Sequence, residues 1–126
     1  MLSNISTFWN EREIPILAIL GTRLKKGLTV RDASELRKKE SDRIYSIVSN
    51  LETLGIQVEE YPDGFRIAPE QRIRGGRVKT FGDHRIAMAF SIAGLISESG
   101  VEIDDPGCAD ISFPGFFQAL ASMVNG

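Results

Sequence analysis

Apolar positions recur along the chain at two spacings, one typical of helices and one typical of strands. Residues 14–26 are apolar almost all round the middle of the segment, which predicts a buried helix that stops at Gly27. Residues 41–54 place apolar side chains three and four positions apart, which predicts a second, amphipathic helix closed by Gly55. The predicted buried face of this second helix consists of Ile44, Ile47, Val48, Leu51 and Leu54.

Two further helices and five strands complete the predicted elements. The third helix is apolar on every side except Ser91, and the last helix has Pro114 in its first turn, where a missing N–H costs little. Pro62, Asp63 and Gly64 favour a turn between two strands, so that these strands form a hairpin. The further helices cover residues 86–96 and 114–124, and the strands cover residues 28–31, 56–61, 65–68, 77–80 and 101–104.

The predicted elements also repeat. A shift of 73 positions places residues 27–32 on residues 100–105, without a gap, and the first helix on the third. The same shift places the apolar face of the second helix on that of the last one. One unit therefore comprises a buried helix, a strand, an amphipathic helix and a hairpin. The second copy stops before its hairpin, so we expect some surface of this chain to face an element outside it.

Composition and charge narrow the classes of function. The chain has 126 residues, enough for about one domain, and a formal net charge of −2, whereas a general nucleic-acid binder is usually basic. Its positive charge is local, which favours a small anion as ligand, with no nucleic acid and no membrane as partner. The single Cys108 excludes an intrachain disulfide, and one Cys with one His makes a zinc site improbable. Without a signal peptide, the expected compartment is the cytoplasm.

Two short tracts combine charges of both signs with the start of an apolar helix: residues 36–44, LRKKESDRI, and residues 82–88, GDHRIAM. Helix N-termini favour anions, and Arg and Lys grip phosphate and carboxylate. In the first tract, Glu40 and Arg43 lie three positions apart and Ser41 or Asp42 is expected to cap the helix. A solvated, charged helix cap is the alternative interpretation of this tract.

In the second tract, Asp83 is expected to cap the third helix and to leave His84 and Arg85 at its first turn. A lone histidine is more often structural than catalytic, so a hydrogen-bonding role for His84 stays open. Arg85 is more informative, because an arginine beside a buried helix must direct its charge at something anionic. The glycine pair at 75–76 is predicted to form a loop rather than a phosphate cradle.

These tracts, with residues 112–116, SFPGF, resemble the C-terminal signatures of the EPSP synthase family. The resemblance runs from about residue 14 to residue 124 and implies an α/β (α+β) fold, with repeated βαβαββ units packed around buried helices. It also implies transfer of the enolpyruvyl group of phosphoenolpyruvate to the 5-hydroxyl of shikimate 3-phosphate, without a cofactor. By resemblance, the site residues are catalytic Lys39, Glu40 and His84 and substrate-binding Lys39, Arg43 and Arg85.

The chain departs from the family pattern in three places. Arg12 stands where the family usually has a catalytic aspartate, and Ile111 stands where many members have a lysine. Residues 1–12 are expected not to match, while residues 13–126 form a partial C-terminal domain with units 13–86 and 87–126. The expected partner is the missing N-terminal domain of the same enzyme.

Three hypotheses follow. The chain is the C-terminal part of an EPSP synthase and is inactive when isolated. In the second hypothesis, which the presence of Arg12 favours, the chain is a non-catalytic domain that binds an anion or a partner. In the third, it is a structural repeat whose charged tracts are only helix caps.

Overall fold

The computed structural model describes residues 4–5 and 13–104, and it contains three α-helices, a short 3₁₀ helix and six strands in this part of the chain. No helix among these residues is long and apolar enough to cross a membrane. The α-helices are α1 (Ile14–Gly21), α2 (Arg43–Thr53) and α3 (His84–Ile96), and the 3₁₀ helix covers Ser34–Lys38. The strands are β1 (Asn4–Ile5), β2 (Leu28–Val30), β3 (Val58–Tyr61), β4 (Gly64–Ile67), β5 (Gly76–Val78) and β6 (Val101–Ile103).

The strands form two small sheets. The first sheet has the order β1-β2-β4-β3, in which β1 and β2 are parallel and the other neighbours antiparallel. The second sheet pairs β5 with β6 in parallel. The predicted hairpin is confirmed as β3 and β4, which pair from Tyr61↔Gly64 to Val58↔Ile67. Gly64 is required there, because a Cβ would lie 1.7 Å from the carbonyl oxygen of Val30.

The apolar face of α2 supplies the centre of the core. All five residues predicted to form this face are buried, and they pack with the inward-facing residues of β2 and β4 and with α1 and α3. In β4, buried Phe65 and Ile67 flank exposed Arg66, as expected for a strand with one covered face, and Gly64 is buried as well. The mixed α/β fold predicted from the sequence is confirmed.

The first helix is shorter than the sequence predicts. It ends at Gly21 rather than at residue 26, because the hydroxyl of Thr22 donates to the carbonyl oxygen of Ile19 at 2.8 Å and tight turns follow. Gly21 also packs against Leu28, leaving 2.6 Å between a built Cβ and that side chain. The predicted end at Gly27 is therefore a turn between α1 and β2, where this glycine has a φ of +72°.

The sequence repeat corresponds to a repeated arrangement of elements. A shift of 73 positions places α1 within α3 and β2 on β6, with the bounds of both strands matched. The same shift converts the parallel pair Asn4↔Thr29 of β1 and β2 into Arg77↔Glu102 of β5 and β6. Each copy is thus a strand, a helix and a parallel strand. The predicted helix over 114–124 lies outside the described residues.

Candidate functional site

The first charged tract lies on the 3₁₀ helix and the chain that leads into α2. Asp42 caps α2, because its Oδ1 accepts a hydrogen bond from the backbone N–H of Tyr45 at 3.1 Å. Of the two caps considered for this helix, Asp42 is therefore the correct one. Ser41 has a different role, since its hydroxyl donates to Asp83 Oδ2 in the second tract at 2.7 Å.

The second tract follows a tight turn at the end of β5. The backbone N–H of Asp83 donates to the carbonyl oxygen of Thr80 at 2.9 Å, and the intervening Phe81 and Gly82 both have positive φ, at 56° and 70°. Asp104 holds this turn, because its Oδ1 accepts from the N–H and the hydroxyl of Thr80. Asp83 caps α3 as predicted, accepting from the backbone N–H of Arg85 at 3.0 Å.

A buried ion pair joins the two tracts. Arg43, whose side chain is 5% exposed, donates from Nε and Nη2 to the two carboxylate oxygens of Asp83 at 2.8 and 3.1 Å. Asp83 has no exposed surface. Arg43 Nη2 also donates to Glu40 Oε1 at 2.9 Å, so the two residues are in contact as expected, although Glu40 precedes α2 and shares no helix face with Arg43. The starts of α2 and α3 are therefore fixed beside each other by one guanidinium.

The charge of Asp83 is stabilised by its surroundings. Burial by itself raises the pKa of this carboxyl group, but the hydrogen bonds from Arg43 and Ser41, the positive charge of Arg43 and the N–H of Arg85 outweigh it. The pKa of Asp83 consequently lies below its ordinary value. Asp83 is thus charged at neutral pH and acts as a structural group.

The two tracts line one cleft of about 650 Å³. Four cations, two carboxylates and His84 face it, and all five site residues named by the sequence line it. Arg43 and Asp83 neutralise each other, and the other charged groups of the lining are Lys39, Arg85, Glu40 and Lys38, which pairs with Glu35 at 3.8 Å. Arg85 is half-buried and forms no ion pair with a carboxylate of residues 13–104. The cleft is lined by Lys38, Lys39, Glu40, Arg43, Gly82, Asp83, His84 and Arg85.

The helix N-termini add to this positive potential. Both α2 and α3 begin at the cleft, and the first N–H groups of a helix carry a partial positive charge. A second depression, of about 500 Å³, lies beside β3 and β4 and is lined by Glu52, Glu59 and Arg66 with apolar groups. Its charged groups do not favour an anion. The cleft between the two tracts is therefore the candidate functional site.

The glycine pair at 75–76 is not part of the cleft lining. A Cβ at Gly75 would lie 2.6 Å from the carbonyl oxygen of Gly100, and Gly76, the first residue of β5, has a φ of +147°. Close approach explains the first glycine, and backbone conformation explains the second. Arg12, Cys108, Ile111 and residues 112–116 lie outside the described residues.

A sequence model of the EPSP synthase (3-phosphoshikimate 1-carboxyvinyltransferase) family matches residues 4–120. The chain belongs to the EPSP synthase family. The 3-phosphoshikimate 1-carboxyvinyltransferase of Thermotoga sp. (strain RQ2) is 51% identical over 112 residues, which cover 89% of this chain and 27% of that protein. The corresponding protein of Aquifex aeolicus (strain VF5) is also 51% identical over 112 residues, with coverages of 89% and 26%.

Solved EPSP synthase structures share the fold. One from Acinetobacter baumannii superimposes with a TM-score of 0.80 at 35% identity, covering 88% of this chain and 26% of that one. The chain thus spans about a quarter of the length of the EPSP synthases it matches. The matched range begins at residue 4, within the segment 1–12 that was expected not to match, and β1 lies in the same segment. The comparison therefore gives no support to a boundary at residue 13.

Two features of this EPSP synthase site escape sequence reasoning. Ser41 was expected only as a possible cap, and the pairing of Asp83 with Arg43 was not foreseen, because the two residues are 40 positions apart. One signal in the sequence could have indicated this pairing. Arg43 lies at the first position of α2, on its otherwise apolar side, and a buried arginine needs a buried anion.

Proposed function

We propose that this chain supplies one wall of the active site of a 3-phosphoshikimate 1-carboxyvinyltransferase. In this reaction the 5-hydroxyl of shikimate 3-phosphate loses its proton and adds to the central carbon of phosphoenolpyruvate, while the methylene carbon gains a proton to become a methyl group. The methyl group then loses a proton as phosphate leaves, which restores the double bond. The observation that carries the proposal is the cationic cleft at two adjacent helix N-termini. Both substrates are multiply anionic, so fixed cations and oriented N–H groups suit the charge that develops.

Phosphoenolpyruvate binding is assigned to Arg85 and Arg43. Arg85 stands at the cleft without a carboxylate partner among residues 13–104, so its guanidinium is directed at the ligand. Arg43 is already bound to other residues of the chain. Its Nε and Nη2 donate three hydrogen bonds to Asp83 and Glu40, and its Nη1 takes no part in these bonds. Arg43 therefore contributes through Nη1, because Asp83 offsets its charge.

Proton transfer is assigned to the first tract. Glu40 is the proton donor and acceptor, since its carboxylate is largely exposed at the cleft and is oriented by Arg43 at 2.9 Å. Lys39 contacts the attacking hydroxyl and its substrate. His84, the first residue of α3, lies half-buried beside Arg85 and assists as a polar or acid–base group.

The rest of the proposal concerns the whole protein. The other wall of the cleft comes from the N-terminal domain of the enzyme, which supplies most of the shikimate 3-phosphate pocket. We place the enzyme in the cytoplasm, with no cofactor, and we treat residues 13–126 as a partial domain with units 13–86 and 87–126.

The binding assignment is tested by titrating the chain with phosphoenolpyruvate in a calorimeter. Arg85→Ala removes a charge-assisted contact of about 1.5–3 kcal/mol, so Kd should rise about 10- to 150-fold. Arg72→Ala is the matched control. Arg72 is exposed and adjoins Ile73, whose carbonyl oxygen accepts a hydrogen bond from the N–H of Glu98, just beyond the C-terminal end of α3. Because α3 begins at the cleft, its C-terminal end lies about 18 Å from the cleft. Equal affinities for the two variants would overturn the assignment.

A non-catalytic anion-binding domain is the second candidate, since Arg12 replaces the family's usual aspartate. Both candidates predict phosphoenolpyruvate binding and no phosphate release by the isolated chain with both substrates. They differ once the rest of the enzyme is supplied, because only the first then predicts turnover that depends on Glu40. Clear turnover by the isolated chain would contradict both.

A further inference from the structure

Arg37 lies near the end of the 3₁₀ helix, outside the cleft lining, and makes four hydrogen bonds with two separate parts of the chain. Nε donates to the carbonyl oxygen of Pro62 at 2.9 Å, and Nη2 donates to that of Tyr61 at 2.7 Å. Nη2 also donates to Glu60 Oε2 at 2.9 Å, and Nη1 donates to Asp42 Oδ2 at 2.9 Å. Four of the five guanidinium N–H groups are therefore used.

The bond between Arg37 and Asp42 closes a short loop. The loop consists of residues 38–41, and its two ends are held by one ion pair across it. The other oxygen of Asp42 caps α2, so the end of the loop is also fixed to the helix. Three of its four residues line the cleft: Lys38, Lys39 and Glu40.

The end of the β3–β4 hairpin, to which Arg37 is bound, is held in turn by bonds to residues that follow β2. The carboxylate of Asp63 accepts from Arg31 Nε at 2.8 Å and from the backbone N–H of Asp32 at 2.9 Å, and its carbonyl accepts from the N–H of Ala33. The guanidinium of Arg31 lies 4.5 Å from the ring centre of Tyr61. Arg37 thus connects the loop to a fixed support that extends to β2.

We propose that Arg37 is a positioning residue that uses the β3–β4 hairpin as a support to hold Lys39 and Glu40 at the cleft. The inference rests on the proposed function, in which these two residues face the substrates. The geometry requires arginine, because a single lysine Nζ cannot occupy the positions of three guanidinium nitrogens. The contribution of Arg37 is therefore one of shape, and its charge alone does not replace it.

The test compares Arg37→Lys with Arg31→Lys in the full chain. Both variants keep the charge and loosen the same hairpin, but only the first breaks the bond to Asp42. With the rest of the enzyme supplied, we expect Arg37→Lys to slow phosphate release about tenfold or more, because Lys39 and Glu40 lose their orientation, and Arg31→Lys to leave the rate unchanged. A wild-type rate in Arg37→Lys, or an equal loss in both variants, would overturn the proposal.

A second readout does not depend on the ligand. Tryptic cleavage after Lys38 and Lys39, followed by mass spectrometry, should quicken in Arg37→Lys and in Asp42→Asn, which keeps a good helix cap, but not in Arg31→Lys, because cleavage requires the loop to open. Unchanged cleavage in Arg37→Lys would refute the positioning role. If the wild-type chain fails to bind phosphoenolpyruvate while cleavage responds as expected, the proposed function fails and the positioning of the loop stands.

Discussion

Arg43→Met removes the cation that faces the buried Asp83 carboxylate and keeps most of the side-chain volume. Asp83 has no exposed surface and loses two of its four hydrogen bonds, retaining those from Ser41 and the N–H of Arg85. Breaking a buried pair by removing one partner typically costs about 3–5 kcal/mol. Because a domain of this size is stable by about 5–15 kcal/mol, the loss is a large share of the total.

Urea unfolding followed by circular dichroism measures this cost. The control is Arg77→Met, whose ion pair with Glu102 spans 3.6 Å with both side chains more than 70% exposed, so that it should cost about 0–1 kcal/mol. Adding Asp83→Asn to Arg43→Met should recover part of the loss, because the uncompensated charge is then gone. A loss below about 1 kcal/mol in Arg43→Met would refute the reasoning.

Three further predictions concern single groups. The pKa of Asp83 in the folded protein lies below the ordinary 3.8, so the charged carboxylate stabilises the fold above that pH, and this contribution is lost as pH falls through the folded pKa. The free energy of unfolding should therefore fall less steeply with acid in Asp83→Asn than in the wild type. Gly64→Ala should cost more than about 4 kcal/mol in urea unfolding, since its Cβ meets Val30, whereas Gly82→Ala, with open space but positive φ, should cost about 1–2 kcal/mol. Asn50→Asp should cost about 1–3 kcal/mol, because a carboxylate cannot donate to the carbonyl oxygen of Lys79; wild-type stability would contradict the buried bond.

Local patterns were sufficient for most of the fold. The three- and four-residue spacing on α2 and the turn residues of the hairpin act within a few positions, so the sequence alone predicts both elements. The end of α1 was misplaced because a polar run such as residues 22–26 suits a helix end and a series of turns equally. The side chain of Thr22 and the contact of Gly21 with Leu28 decide between them.

The repeat shows what long-range structure adds. Matching residues at a shift of 73 indicated two related units, but the sequence of β1 carries little signal. Its parallel pairing with β2, equivalent to that of β5 with β6, is visible only once the strands are placed.

The residues that line the cleft could be named from the two tracts, but the bonds that organise them could not. Arg43 was expected to clamp a ligand, whereas much of its hydrogen-bonding capacity serves Asp83. The sequence presents Arg37 only as one of several charges in a basic run, because the carbonyl groups that it binds lie more than twenty positions away in the hairpin. Such contacts depend on how α2, α3 and the hairpin meet, which periodicity does not encode.

A chimera tests most directly whether this chain carries a working wall of the active site. Residues 13–104 would replace their counterparts in the Thermotoga sp. enzyme, and phosphate release would be measured with phosphoenolpyruvate and shikimate 3-phosphate. This exchange leaves Arg12 and Ile111 out of the hybrid. We predict turnover that falls about 100-fold or more in Glu40→Gln and stays unchanged in Glu59→Gln, an exposed position on β3. A folded chimera in which both variants release phosphate at the same rate would contradict the account.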